Sequence, residues 1–96
     1  MQEAKDPRVA VVTGGGTGVG AAVARALASN GWSTIICGRR PEILEQVAAG
    51  FDEPGLTARV DVSDPSDVDR LFSLAVESFG RVDLLFNNAG IGAPPL

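Results

Sequence analysis

The 96-residue sequence contains no histidine and no tyrosine. Without histidine the chain lacks both the side chain that most often exchanges protons near neutral pH and the commonest metal ligand. Its single cysteine, Cys37, follows two isoleucines and is predicted to be a small buried hydrophobic residue rather than a nucleophile. No cluster with metal-ligand spacing is visible, so the sequence predicts no metal site.

Positive charge and long apolar runs are also scarce. Eight lysine and arginine residues stand against twelve aspartates and glutamates, and the formal net charge of −4 disfavours a nucleic-acid partner. No apolar run approaches the length of a membrane span, and residues 1–7 lack the apolar segment of a signal peptide. We therefore expect a cytoplasmic protein with no nucleic-acid or membrane partner, in which residues 1–7 form a disordered or extended arm.

The most distinctive segment that is present is a glycine-rich turn, Thr13-Gly14-Gly15-Gly16-Thr17-Gly18-Val19-Gly20. It follows a β-branched run over residues 8–13, which is typical of a buried strand, and it precedes residues 21–28, which are rich in helix-forming alanine. The start of a helix offers unpaired backbone N–H groups that hold an anion such as a pyrophosphate. Flexible loops and tight turns also use glycine, so this segment alone leaves a purely structural role open.

The rest of the chain alternates predicted strands and helices. Strands are predicted over residues 32–38, 56–62 and 82–87; one helix starts at Pro41, and another is capped by Asp64 and ends at Gly80. The apolar face predicted for the first helix consists of Val19, Ala22, Val23, Ala26 and Leu27. The stripe predicted for the third helix consists of Val68, Leu71, Phe72, Ala75, Val76 and Phe79.

This β-α-β-α-β-α-β order predicts an α/β fold, a doubly wound parallel sheet of the Rossmann type, in a single partial domain over residues 8–96. Ligands of such sheets bind beyond the carboxyl ends of the strands. The glycine turn and the polar clusters at residues 38–40, 61–64 and 87–90 all fall at those ends. Their common location favours a binding site over a structural role.

Three motifs, in this order, resemble those of the short-chain dehydrogenases/reductases. They are the Thr13-Gly14-x-x-x-Gly18-x-Gly20 turn, Asp61-Val62-Ser63-Asp64 and Asn87-Asn88-Ala89-Gly90. The resemblance covers the chain from Val9 onward and implies an oxidoreductase enzyme. A second register, Gly16-x-Gly18-x-x-Ala21, satisfies the generic dinucleotide fingerprint, and both registers predict a nucleotide. The related epimerases carry glycine where Thr17 stands, which disfavours that activity.

The resemblance also implies roles for individual residues. The glycine turn would hold the pyrophosphate, and Asp61 would accept a hydrogen bond from the adenine amino group with the Val62 N–H alongside. The segment 88–90 would line the adenine ribose. Asn87 would tie neighbouring strands or contact the ligand, whereas helix capping explains Asp64 better than binding does.

Charge at the end of the second strand bears on the choice of cofactor. Enzymes that use NAD place an acidic residue there, and this chain has Gly38 followed by Arg39, whose guanidinium suits a 2′-phosphate. We therefore expect NADP rather than NAD. Many NADP-dependent members carry a basic residue where Thr17 stands; Arg40 either substitutes for it or is solvated, and the alternative is that both arginines are surface charges. The predicted cofactor-binding residues are Gly14, Gly16, Thr17, Gly18, Val19, Gly20, Arg39, Arg40, Asp61, Val62, Asn88, Ala89 and Gly90.

The resemblance implies catalysis by a tyrosine, a lysine and a serine that these 96 residues do not supply. Tyrosine is absent, the only lysine is Lys5, and every serine precedes Phe79. The strand at residues 82–87 would also present an open apolar edge. We therefore expect an N-terminal, cofactor-binding half that is inactive alone and is completed by the remaining half of the fold.

The complete enzyme would transfer hydride between NADP(H) and a small carbonyl or alcohol substrate, and it would form a homo-oligomer. Two other functions remain open. The first is a non-catalytic nucleotide-binding or protein-interaction module, and the second is a structural remnant without a ligand.

Overall fold

The computed structural model describes residues 8–14, 16, 18–51 and 55–87. In chain order their elements are β1 (Val9–Thr13), α1 (Gly18–Ser29), β2 (Ser33–Gly38), α2 (Pro41–Ala48), β3 (Gly55–Arg59), α3 (Pro65–Phe79) and β4 (Leu84–Asn87). The predicted alternation of strands and helices is confirmed. The predicted arm at residues 1–7 and the segment 88–96 lie outside the described residues.

The four strands form one parallel sheet in the order β3-β2-β1-β4. From β1 the chain first moves outward through β2 to β3. Helix α3 then carries it back to the opposite side of β1, so the strand order reverses between β1 and β4. This topology confirms the doubly wound Rossmann-type sheet, in which ligands bind beyond the carboxyl ends of the strands.

Each central strand contributes side chains to two cores, one on each face of the sheet. Val11 and Ile35 pack with Leu71 and Ala75 of α3, whereas the adjacent residues Val12 and Ile36 pack against α1 and α2. This alternation follows from the two-residue period of a strand. Because both faces are covered, β1 and β2 are nearly continuous apolar runs, as expected for a buried parallel sheet.

The buried face of helix α1 overlaps the predicted face only in part. Val23 and Leu27 pack against the core as predicted, whereas Val19 is 62% exposed and Ala22 and Ala26 are exposed. The fully buried residues are Gly20, Ala21, Ala24 and Ala28. Apolar residues occur on every side of this helix, so periodicity alone did not place the buried face correctly. The buried face is the one whose small residues let the helix axis approach the sheet closely.

Helix α3 has the predicted ends but a narrower apolar face. The Asp64 side chain accepts a hydrogen bond from the Ser66 N–H at 2.9 Å, and Gly80 ends the helix in the left-handed region with φ 82°. Leu71 and Ala75 are buried as predicted, whereas Val76 is 56% exposed.

Strand β3 ends earlier than predicted, at Arg59 rather than residue 62. The Val60 N–H still donates to the carbonyl oxygen of Gly38, the last residue of β2, at 2.8 Å. Beyond Val60 there is no β2 residue left to pair with, and the Asp61 N–H donates instead to the Asp67 carboxylate at 2.9 Å. The motif at residues 61–64 therefore forms a turn beyond the sheet.

Candidate functional site

A cavity of about 460 Å³ opens at the carboxyl ends of β1, β2 and β3. The ends of three strands and the first turn of α2 surround it, and these are three of the four strand ends at which the binding site is predicted. Its lining residues are Gly14, Gly16, Gly38, Arg39, Arg40, Ile43, Leu44, Val60, Asp61, Val62 and Ser63.

Glycines let the backbone form the wall of this cavity after β1. Gly14 and Gly18 adopt positive φ angles of 66° and 47°, which are strained for residues with a side chain. At Gly16 a Cβ atom would lie only 2.9 Å from the Ile43 Cγ2 atom and 3.4 Å from the Leu44 Cδ2 atom. The turn therefore packs so closely against α2 that a side chain at position 16 would force Ile43 or the turn to move.

The first turn of α1 follows directly. It carries no acidic side chain that would offset the positive end of the helix dipole. Gly18 and Val19 are exposed, whereas Gly20 is buried against the core, so the three predicted residues differ in their environment and none of them lines the cavity. The predicted residue Thr17 lies outside the described residues.

Two arginines stand at the cavity after β2. Arg39 and Arg40 are both exposed, and within the described residues neither forms an ion pair. Arg40 occupies the N-cap position of α2 without a capping hydrogen bond from its side chain. Both residues therefore bring positive charge to the cavity lining.

Asp61, which follows the neighbouring strand β3, contributes a carboxylate to the cavity. Its Oδ1 atom accepts hydrogen bonds from the Ser63 hydroxyl at 2.6 Å and the Ser63 N–H at 3.0 Å. These two bonds, with smaller contributions from the charges of Arg39 and Arg59, hold the pKa of Asp61 below its usual value. The group is therefore an anionic acceptor at neutral pH.

Asn87, at the end of β4, joins neighbouring strands as predicted. The Thr13 hydroxyl lies 3.0 Å from its Oδ1 atom and 3.4 Å from the Phe86 carbonyl oxygen, so that β1 and β4 are connected at their carboxyl ends. This contact supports the strand-tying alternative. The other predicted residues of this motif, Asn88, Ala89 and Gly90, lie outside the described residues.

The cavity also includes residues that were not predicted as site residues. Ile43, Leu44 and Val60 form its apolar part, and Ser63 orients Asp61. Ile43 and Leu44 follow Pro41 within the first turn of α2, which begins just beyond the carboxyl end of β2. This position could have indicated that they line the site, but their apolar character indicated a role in the core.

Cys37 is fully buried, as predicted, and its Sγ atom lies 3.6 Å from the Val12 carbonyl oxygen. Burial raises the pKa of the thiol to about 12, which suppresses the reactive thiolate. Among the described residues there is no group of three or more metal-ligating side chains, and none of their helices has the length and apolarity needed to cross a bilayer.

The geometry fits the phosphate and adenosine parts of a nucleotide. Gly14 and Gly16 bring the backbone to the cavity wall, and Arg39, Arg40 and the oriented Asp61 carboxylate contribute to the same wall. An anion and a purine amino group would each find the complementary partner there.

The model of the short chain dehydrogenase family matches residues 8–95. The chain belongs to the short chain dehydrogenases. A cis-4-hydroxycyclohexanecarboxylate dehydrogenase of Sinomonas cyclohexanicum is 42% identical over 97 residues, covering 98% of this chain and 39% of that protein.

Solved structures of family members resemble this fold. A 3-ketoacyl-(acyl-carrier-protein) reductase from Brucella melitensis, complexed with NADH, matches with a TM-score of 0.77 and 35% identity over 81% of this chain and 32% of its own. An alcohol dehydrogenase from the archaeon Thermococcus sibiricus, complexed with 5-hydroxy-NADP, matches with a TM-score of 0.76 and 33% identity over 81% and 35%. The chain thus spans between 32% and 39% of the length of these relatives.

Proposed function

We propose that this chain is the NADP-binding half of an oxidoreductase that interconverts a carbonyl and an alcohol. The observation that carries the choice of NADP is the end of β2. Gly38 occupies the place where an acidic residue would repel a 2′-phosphate, and Arg39 follows it at the cavity without an ion-pair partner among the described residues. A guanidinium there offers bidentate hydrogen bonds to a phosphate.

Membership of the dehydrogenase family and two cofactor-bound relatives support a nicotinamide dinucleotide as the cofactor. The glycine turn from Gly14 to Gly20 would hold the pyrophosphate, Asp61 and Val62 the adenine, and the segment 88–90 the adenine ribose. The cofactor supplies hydride transfer when it is bound. The residues of this chain bind and orient it.

The 96 residues alone are proposed to lack reductase activity. The family resemblance places proton transfer on a tyrosine assisted by a lysine, and this sequence contains no tyrosine and only Lys5. For the complete enzyme we propose that the remaining half of the fold completes this chain and that the substrate is a small molecule. The same proposal includes assembly into a homo-oligomer and a cytoplasmic location.

Isothermal titration calorimetry with NADP and NAD tests the cofactor assignment. We expect tighter binding of NADP, and we expect Arg39→Ala to weaken it by roughly tenfold or more, the size of a charge-assisted hydrogen bond, while NAD binding changes little. Arg25→Ala, at an exposed position on α1, is the control. Tighter binding of NAD, or an Arg39→Ala variant that binds NADP like the unmodified chain, would contradict the assignment.

The exposed strand β4 favours one other candidate, a non-catalytic nucleotide-binding or interaction module. Within the described residues β4 pairs only with β1, and Leu84 and Leu85 are 37% and 46% exposed. A chain that binds nucleotide as a stable monomer would support this module. Recovery of reductase activity when a segment with tyrosine and lysine follows the chain would support the enzyme.

A further inference from the structure

Asp67 is a buried acidic residue that the proposed function leaves without a role. It lies in the first turn of α3, is only 7% exposed, and makes no direct contribution to the cavity wall. Burial of a carboxylate is unfavourable unless hydrogen bonds satisfy it. Its partners therefore indicate what it does.

Those partners connect the helix to the turn that carries Asp61. One carboxylate oxygen of Asp67 accepts the Asp61 backbone N–H at 2.9 Å, and the other pairs with the Arg70 guanidinium. The first contact fixes the direction of the backbone where the chain leaves β3. Asp67 thus positions Asp61 through a hydrogen bond to the Asp61 main chain.

Ser63 positions the same residue through hydrogen bonds to its side chain. Its hydroxyl and its N–H both donate to the Oδ1 atom of Asp61, which sets the rotation of the carboxylate. Within the described residues the Oδ2 atom of Asp61 accepts no hydrogen bond, so one acceptor is left over on a side chain at the cavity.

We propose that Asp67 and Ser63 are positioning residues for purine recognition, which hold the Asp61 carboxylate so that its remaining oxygen selects a 6-amino purine. This inference rests on the proposed nucleotide-binding function but not on the choice between NAD and NADP. An oriented acceptor gains affinity because little rotational freedom is lost on binding. Asp67 and Ser63 would therefore affect the selectivity for adenine over other purines more than the affinity that all nucleotides share.

A purely structural role for Asp67 would have a different signature. Loss of its hydrogen bonds would then weaken α3 and reduce the binding of every ligand by the same factor. The N-cap residue Asp64 provides the comparison, because it stabilises the same helix end through the Ser66 N–H and its side chain makes no hydrogen bond to Asp61.

The test measures dissociation constants of this chain for ADP and for its 6-desamino analogue, purine riboside 5′-diphosphate. ADP is common to NAD and NADP, and the analogue lacks the amino donor without gaining another. The variants are Asp67→Asn and Ser63→Ala, and the controls are Asp64→Ala for helix stability and Ser73→Ala, an exposed serine on α3.

For the unmodified chain we expect ADP to bind about tenfold more tightly than the analogue, as for one hydrogen bond to a charged group. Asp67→Asn and Ser63→Ala should each reduce this ratio to about threefold or less, chiefly by weakening ADP binding, whereas both controls should keep it. If Asp67→Asn does not fold, Ser63→Ala decides the question, because Ser63 lies in an exposed turn.

The outcomes separate the two proposals. If the unmodified chain binds neither nucleotide, the proposed function fails and this inference with it. If the chain binds both nucleotides equally, or if both variants keep the tenfold ratio, the nucleotide site stands and the positioning role is wrong. An equal loss of ADP and analogue affinity in Asp67→Asn, matched by Asp64→Ala, would assign Asp67 to helix stability alone.

Discussion

At the residue scale, the cavity depends on positions where a side chain is missing or buried. Gly16 permits the contact between the glycine turn and α2, since a Cβ atom would collide with the Ile43 side chain. Cys37 lies on the opposite core with its thiol fully enclosed. The cavity wall is thus formed by backbone at Gly14 and Gly16, and the Ile43 side chain packs closely behind it at Gly16.

Gly16→Ala is expected to destabilise the chain by about 1–3 kcal/mol, the usual effect of overpacking, and to weaken ADP binding. The added methyl group must push Ile43 or the turn away. Urea denaturation and calorimetry measure the two effects. Gly50→Ala is the matched control, since its Cβ atom would stand 3.6 Å from the Val47 carbonyl oxygen, an ordinary contact. Equal stability and equal ADP affinity in both variants would contradict the close packing at position 16.

Cys37 should make the chain less stable at alkaline pH. Burial raises the pKa of its thiol from 9.0 to about 12, so between those values the unfolded chain releases a proton that the folded chain keeps. The stabilisation is therefore complete below pH 9 and is lost as the pH rises, by up to about 1.4 kcal/mol per pH unit. Urea denaturation from pH 8 to 11 measures this slope.

The alkaline slope is accessible because the chain has no tyrosine and only one lysine to titrate in that range. Cys37→Ala provides the comparison: it loses some packing at every pH, but its unfolding free energy should vary less between pH 9 and 11. The same slope in both proteins would show that the thiol is ionised as easily in the folded chain as in the unfolded one.

At the element scale, hydrogen bonds attach β4 to β1 at both ends. At the carboxyl end Thr13 contacts Asn87. At the amino end Asp83 accepts the Val9 N–H at 2.8 Å and pairs with Arg81, while its own N–H donates to the Val9 carbonyl oxygen. These contacts fix the register of a strand only four residues long.

The Asp83 contact should contribute to loss of stability in acid. The hydrogen bond from Arg81, and then that from Val9, hold the pKa of this carboxyl below its ordinary value of 3.8. A depressed pKa in the folded state gives stability that is present above the unfolded value and is lost as the pH falls through the folded one. Asp83→Asn should lower the stability of the fold at pH 7. Between pH 5 and pH 2 the variant should then lose less stability than the unmodified chain.

Thermal unfolding across that pH range and hydrogen exchange at the Val9 amide measure the two effects. Asp69→Asn, at an exposed position on α3, should change neither of them. Unchanged protection of the Val9 amide in Asp83→Asn would show that the negative charge of Asp83 is not needed for this contact, since an asparagine Oδ1 atom can still accept the Val9 N–H.

Element order and cap residues were predictable because they depend on local chemistry. Asp64, Pro65 and Gly80 marked the ends of α3 before any tertiary information was available. The buried face of α1 was not predictable in the same way, since alanine occurs on all its sides. The position of Asp67 was also missed, because only the folded chain brings its carboxylate to the Asp61 N–H.

The predicted cofactor site divides along the same line. Gly14, Gly16, Arg39, Arg40, Asp61 and Val62 line one cavity because all follow strands of a single parallel sheet, a placement that strand order alone predicts. Ser63 also joins them locally, through the turn in which it donates to the Asp61 carboxylate. Ile43 and Leu44 join them only because α2 packs against the glycine turn, a contact between segments far apart in sequence.

At the scale of the whole molecule, the described sheet is unevenly covered. Its β1 and β2 strands are buried on both faces, whereas β4 exposes part of two leucine side chains and, within the described residues, has a partner strand on one side only. Unpaired apolar strand edges tend to pair with another chain. The distribution of exposed surface therefore predicts self-association of this chain through β4.

Leu85→Lys should weaken that association, because a lysine both removes an apolar contact and places like charges together across the interface. Loss of one buried leucine is worth ~1.5–3 kcal/mol, which is about tenfold or more in the dissociation constant. Light scattering over a concentration series measures it. Val19→Lys, at a more exposed valine on α1, is the control and should leave association unchanged. Equal weakening by both variants would place the interface elsewhere or reduce the effect to net charge, whereas selective weakening by Leu85→Lys would identify β4 as the interacting edge.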